Sequence, residues 1–166
     1  TLRKRFNVTP ESIDSKDATF QYDSQYIITG KNDNISHNVA YYPFCEVTCA
    51  PDGSSYTLSN LTLPSTQSYV EESVGLGAFP MVAVTTDVND RVLKFKNVAG
   101  AMNLQFKGTQ KVVSVKVEGN EGEALSGAAV VTADDTPSVK MQSAEAAAVV
   151  LDCGEGVQLS ETEATS

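Results

Sequence analysis

Tryptophan is absent from this chain, histidine occurs once, and there are three cysteines among 166 residues. Each scarcity excludes something. Without tryptophan, the strongest aromatic platform for stacking on sugars is missing. A single histidine, His37, leaves too few nitrogen ligands for a zinc site built on imidazoles, and no second cysteine pair makes up the number. An odd cysteine count does not suggest a disulfide framework. Basic residues are also few, 12 Lys and Arg against 21 Asp and Glu, for a formal charge of −9. That balance argues against nucleic acid and against anionic membrane surfaces, both of which recruit Lys and Arg. The longest apolar stretch, 144–151, is interrupted by Glu145 and falls well short of the roughly 18–20 residues a membrane-spanning helix needs. The opening Thr1-Leu2-Arg3-Lys4-Arg5 has no apolar core of a signal peptide, which fits a cytosolic chain and an exported, processed one equally.

What remains is a globular composition, 41% hydrophobic and 20% charged, of a length that suits one domain. The charge is uneven. Residues 119–166 carry nine acidic residues and one basic residue, Lys140, while the contiguous basic cluster is Arg3-Lys4-Arg5. The acidic half reads as a solvated face.

The pattern along the chain is that of short strands. Residues 1–17 are polar and read as an N-terminal arm or first strand, with a β-sandwich domain predicted over 18–166. Residues 19–22 and 26–29 are β-branched and aromatic and flank Asp23-Ser24, a predicted turn. Residues 30–34 read as a loop. Val39, Tyr41, Phe44 and Val47 predict a bent strand or strand pair over 38–49, with Pro43 confining it to an edge or boundary. Pro51-Asp52-Gly53 predicts a turn. Tyr56 and Leu58 alternate, then Leu61 and Leu63 alternate out of phase with them, so an irregularity is predicted at Ser59-Asn60. Residues 80–86 predict an apolar strand. The clearest two-residue rhythm follows: Leu93 and Phe95; Met102, Leu104 and Phe106; Val113, Val115 and Val117. It predicts three half-buried strands whose apolar side chains form the core. Strands are also predicted at 129–132, 138–141 and 147–151, and 143–150 is read as a loop leading into the last of these. The fold class that results is all-β, an antiparallel β-sandwich with few or no helices.

Catalytic signatures are scarce. Neither G-x-S-x-G nor a phosphate-binding G-x-x-x-x-G-K-[ST] occurs. His37, beside Asn34 and Ser36, reads as a solvated loop histidine. Cys45 and Cys49 lie about 13 Å apart on an extended chain, beyond disulfide reach. They read as buried free thiols, with a Cys45–Cys153 bridge as the alternative. Adjacent carboxylates at Glu71-Glu72 and Asp134-Asp135 point to opposite faces of a strand and cannot flank one bond. Asp87, Asn89 and Asp90 form a candidate surface Ca²⁺ loop, as does Asp134-Asp135, although neither follows the EF-hand pattern. Three N-x-[ST] sequons, at Asn7, Asn34 and Asn60, carry weight only in a eukaryotic secretory setting.

Several stretches together form a longer pattern: YYPF at 41–44, LTLPSTQSYV at 61–70, GLGAFPMVAV at 75–84, and LKFKNVAGAMNLQFKGTQKVVSVKVEGNEGEALSGAAVV at 93–131. VLDCGEGVQLS at 150–160 completes it. This pattern resembles the fimbrillin-like surface proteins of Bacteroides-type bacteria, most specifically in F-K-N-x-x-G-x-x-x-L-x-x-x-G followed by a valine strand and G-N-x-G-E-x-L-S-G. The resemblance implies a transthyretin-like sandwich of Greek-key type, the N-terminal domain of a longer two-domain protein. It implies export as a lipoprotein and display on the outer membrane, with a lipid anchor that this chain does not itself carry. It implies a structural or adhesive pilus subunit that is no enzyme, carries no cofactor or metal and binds no nucleic acid. The expected partners are other pilin subunits or further copies, reached by β-strand donation. A glycan-binding surface lipoprotein, using Tyr41, Tyr42, Tyr56 and Tyr69 against glycans or a host protein, is the alternative. Proteolytic processing behind an arginine makes Arg3 and Arg5 the candidate processing sites.

Overall fold

A computed structural model describes residues 3–9, 19–28, 36–143 and 147–165. The predicted loop at 30–34, the sequon at Asn34, the turn beginning at Thr9-Pro10 and residues 144–146 of the loop predicted at 143–150 fall wholly or partly outside those residues. The chain forms two compact units, Thr1–Ser36 and His37–Ser166. All the regular structure described is β-strand.

The first unit is an antiparallel pair, β1 (Arg3–Val8) and β2 (Phe20–Ile28). Asp23-Ser24 is not the predicted turn. It lies inside continuous β2, where Lys4 pairs with Ile27 but Phe6 pairs with Tyr22, so residues 23–26 bulge opposite Arg5. The bulge places Asp23 beside Arg5, whose Nε donates to Asp23 Oδ2 at 2.8 Å and whose Nη2 also reaches it. A local charge pair thus takes the place of a turn.

The described residues of the second unit form three sheets. The largest has the order β11-β10-β5-β4, formed by Ser138–Met141, Gly127–Ala133, Ser55–Leu63 and Thr48–Asp52, all antiparallel. A second joins β3 (Val39–Tyr42), β7 (Met81–Val84) and β8 (Lys96–Asn97). A third has the order β6-β12-β9, from Thr66–Ser68, Val149–Gln158 and Lys111–Val117, with β6 parallel to β12.

Local chemistry accounts for the pairing of β4 with β5. Asp52 faces Ser55 across a two-residue loop, and Gly53, the first of the two, has φ +62°. A positive φ at that position is the type II′ requirement, and glycine meets it without a Cβ penalty. Pro51 sits in β4, an edge strand, where its missing N–H costs no ladder bond. The predicted irregularity in β5 is present. Leu61 pairs with Ala129 and Leu58 with Val131, so Ser59 and Asn60 together oppose Val130. Asn60 takes φ +64°, which asparagine tolerates better than most residues, and its Nδ2 donates to the Glu46 carbonyl at 2.9 Å. The extra residue resets the strand's parity, so Tyr56, Leu58, Leu61 and Leu63 are all buried.

The core lies between the first two sheets. Leu58 and Leu61 of β5, Val131 and Ala133 of β10, Val82 of β7 and Val98 just after β8 form one buried cluster, with Val39, Tyr41, Val47 and Val84 packed against it. This is a layered all-β arrangement, as predicted. Its centre is not where the strongest alternation pointed. None of the eight residues predicted from 93–117 is fully buried, and Leu93, Phe95, Met102, Phe106 and Val113 are exposed. Residues 102–107 form no strand; they hold a single bridge, Phe106 to Thr165. In β9 the reason is visible. Val112 faces Val157 and Ser114 faces Asp152, so 153–156 of β12 bulge opposite Val113, with Gly154 and Gly156 at positive φ. Beside this bulge Val113 is exposed, whereas Val112 is half-buried. Alternation marks two different sides, but it does not say which side is covered.

Leu58→Ala is expected to destabilise the domain by about 2–5 kcal/mol. Met102→Ala, at a side chain 68% exposed, should stay within about 0.5 kcal/mol. Urea unfolding of both variants checks this; equal losses would place the core at the wrong layer.

Candidate functional site

The residues with chemical potential are each drawn into local structure. His37 is not a solvated loop residue. Its Nδ1 lies 2.7 Å from the Tyr56 hydroxyl, and the two rings meet edge to face at 5.6 Å. Tyr56 is 7% exposed, and a buried phenol requires a polar partner, which His37 supplies. The histidine therefore seals the rim of the core.

The candidate Ca²⁺ loop spends its carboxylates on its own backbone. Asp87 Oδ1 accepts the N–H groups of Asn89 at 2.6 Å and Asp90 at 3.1 Å. Asp90 Oδ1 accepts from the Val92 N–H at 2.9 Å, and its Oδ2 accepts from the Thr86 N–H at 3.2 Å and hydroxyl at 3.0 Å. These bonds, Val92's first, hold the Asp90 carboxyl below the usual carboxylate range. Asn38 ties the loop down through the carbonyls of Val88 and Asp90. At the second candidate, Asp134 Oδ1 caps the Thr136 N–H at 2.7 Å, and Asp135 pairs with Lys96. Glu71 and Glu72 are exposed, and Glu72 adopts φ +54°. Among the described residues no group of three His, Cys, Asp or Glu side chains is placed to hold a metal.

All three cysteines are free thiols. The extended chain expected between Cys45 and Cys49 breaks because the Val47 N–H bonds the Cys45 carbonyl at 3.1 Å in a tight turn. Val47 and Cys49 pack against the core, whereas Cys45 is an exposed residue rather than a buried one. Partial burial of its sulfur still pushes the Cys45 thiol up. The nearby Tyr41 phenol is pushed up to about 12, by burial first and by the Cys45 charge second. Burial, then Asp152, raises Cys153 as well. Such thiols are protonated at neutral pH and poor nucleophiles.

The tyrosines proposed for stacking separate. Tyr56 is core, and Tyr41 and Tyr69 are half-buried. Tyr42 is exposed and lines a shallow apolar groove of about 390 Å³ with Phe79, Met81, Val74 and Leu76, the last 94% exposed.

The most unusual surface lies elsewhere. Residues 91–117 begin ahead of β8 and end in β9, and each of those strands stands at the edge of its sheet. Among the described residues β9 has no partner strand on its second edge, and Val113 beside it is 57% exposed. Arg3 and Arg5 lie in β1, in the other unit. Arg3 faces Ile28, and Arg5 is held by Asp23. The structure thus separates the candidate processing sites from the open edge in sequence and in unit. Sequence reasoning missed the exposed segment because it assigned those apolar residues to the core. The signal available was charge: 91–117 has six Lys and Arg and no Asp or Glu. Comparison with family models, curated proteins and solved structures gave no match.

Two pH effects follow. Asp90 is depressed in the fold, so its contribution is present above the ordinary carboxylate range and is lost as pH falls through it. Asp90→Asn should weaken the acid-side decline of stability. Tyr41 is raised from its ordinary 10.0 to about 12, so stability should fall as pH rises from 10.0 towards 12. Tyr41→Phe should flatten that alkaline decline, as read by urea midpoints across the range.

Proposed function

We propose that this chain is a structural or adhesive subunit of a cell-surface fimbria, exported and displayed at the outer membrane, that joins its neighbours by β-strand addition. The open edge of β9, flanked by exposed apolar side chains, carries this reading. An edge strand presents unpaired N–H and C=O groups, and an extended segment from another subunit satisfies them while its alternate side chains cover apolar ones. The resemblance to fimbrillin-like proteins supports it, and with it a transthyretin-like sandwich topology. On this reading β1 is a removable strand. It is paired with β2 on both sides of Arg5, so a protease cutting behind Arg3 or Arg5 needs β1 to open locally first. The chain works by shape and surface, without a catalytic residue or cofactor.

The groove at Tyr42 favours a second reading, a surface domain that binds glycans through Tyr42 and Phe79. Binding on a glycan array that Tyr42→Ala abolishes would support it.

For assembly, the purified Arg91→Lys chain, whose remaining arginines are Arg3 and Arg5, is treated with an arginine-directed protease and followed by negative-stain electron microscopy. Concentration-dependent polymers are expected, and Val113→Asp should suppress them without unfolding the chain, since Val113 is exposed. Single particles throughout, before and after cleavage, would overturn the reading.

A further inference from the structure

Charge in the second unit is segregated along the chain. Residues 37–90 carry six acidic residues and no Lys or Arg, and residues 118–166 carry ten acidic residues against Lys140 alone. Between them, residues 91–117 hold half of the chain's 12 basic residues and none of its 21 acidic ones. Part of this positive charge is used locally. Lys96 pairs with Asp135, Lys116 with Glu118 at 2.7 Å, and Lys107 donates to the Thr162 carbonyl at 3.1 Å. Arg91, Lys94 and Lys111 are exposed and form no salt bridge among the described residues. The aliphatic stem of Lys111 lies across Gly156, where an added Cβ would meet it at 3.0 Å, so this lysine is braced against the β12 bulge.

Lysines on edge strands commonly serve to discourage pairing. That role does not explain the apolar side chains between them. Val92, Leu93, Phe95, Met102, Phe106 and Val113 are between 36% and 68% exposed within the same 27 residues. Exposed apolar groups interleaved with exposed cations that form no salt bridge, Lys94 among them although its charge reaches Asp90, have the character of a protein-docking segment, with apolar area for affinity and charge for selection. A polyanion such as a sulfated glycan would use the cations and leave the apolar groups in water. Residues of opposite sign are on the same molecule and flank this segment in sequence.

We propose that residues 91–117 dock a second copy of this chain through its acidic surface, a head-to-tail contact selected by charge. The proposal rests on the reading of the chain as an assembling subunit, but it invokes a side-chain contact rather than strand addition. Because the two complementary regions are different surfaces, a docked pair keeps one of each free, which permits growth.

The test is analytical ultracentrifugation of the intact chain between about 0.05 M and about 0.5 M salt, a range over which the screening length shortens severalfold. Self-association is expected at low salt and should weaken by at least about tenfold at high salt. Combined Arg91→Glu, Lys94→Glu and Lys111→Glu should abolish it, with circular dichroism confirming the fold. Leu93→Ser with Phe95→Ser should weaken it with charge intact. Added in excess to wild type, the charge-reversed chain should occupy the 91–117 segment of each wild-type chain through its acidic surface and hold the mixture at pairs. A wild-type monomer at low salt up to about 1 mM would overturn the proposal, as would association unchanged by charge reversal. Retention on a sulfated polyanion without self-association would assign the segment to that ligand and also overturn it. Salt-resistant polymers that survive charge reversal would refute this contact while leaving strand addition standing. Salt-sensitive pairs that never extend after proteolysis would support this contact and count against strand addition.

Discussion

The packing of Leu58 and Leu61 against Val82, Val98 and Val131 is the contact on which the larger unit depends. It exists because one residue interrupts β5. Without the Asn60 bulge, Leu61 and Leu63 would share a face with Thr57 rather than with Leu58, and one sheet could not present all its leucines to the next. Asparagine's tolerance of positive φ, and its bond to the Glu46 carbonyl, fix the interruption in place. Opposite it, Ala129, Val131 and Ala133 are completely buried. A single local conformation thus sets the register of the sheet and the composition of the core.

The sequence was legible where local chemistry decides the outcome. The turn at Gly53, the out-of-phase leucines of β5, the strand at 138–141 and the apolar strand β7 follow from side-chain type and spacing. It was misleading where burial depends on what lies opposite. The alternation from Leu93 to Val117 is as regular as any in the chain, yet those side chains are not the core, because only β8 and β9 find strand partners there. Asp23-Ser24 resembled a turn, and a bulge stabilised by Arg5 replaced it. At the candidate sites, His37 was misread because its partner Tyr56 is 19 residues away and no local pattern connects them. The aspartates of the 87–90 loop have the composition of a cation site, but their oxygens are occupied by neighbouring N–H groups.

These placements share a theme. Groups with reactive potential are stabilised in unreactive forms: thiols kept protonated by burial, carboxylates capping turns, and an imidazole capping a buried phenol. Among the features facing solvent are apolar and cationic side chains along sheet edges. Surfaces of this kind recognise other proteins through area and charge, and that is the character the assembly reading assigns to the chain.

The parallel pairing of β6 with β12 carries a further consequence. It joins Thr66 to Val150 and Gln67 to Leu151, and the same β12 also holds β9. During synthesis, β6 and β9 leave the ribosome well before the strand that unites them. Their shared sheet is assembled only once that late strand arrives, and its loop closure spans more than half the chain. The nascent protein therefore passes through an interval in which its valine-rich ribbon is uncovered, when a chaperone has most to hold and a misplaced neighbour most to capture.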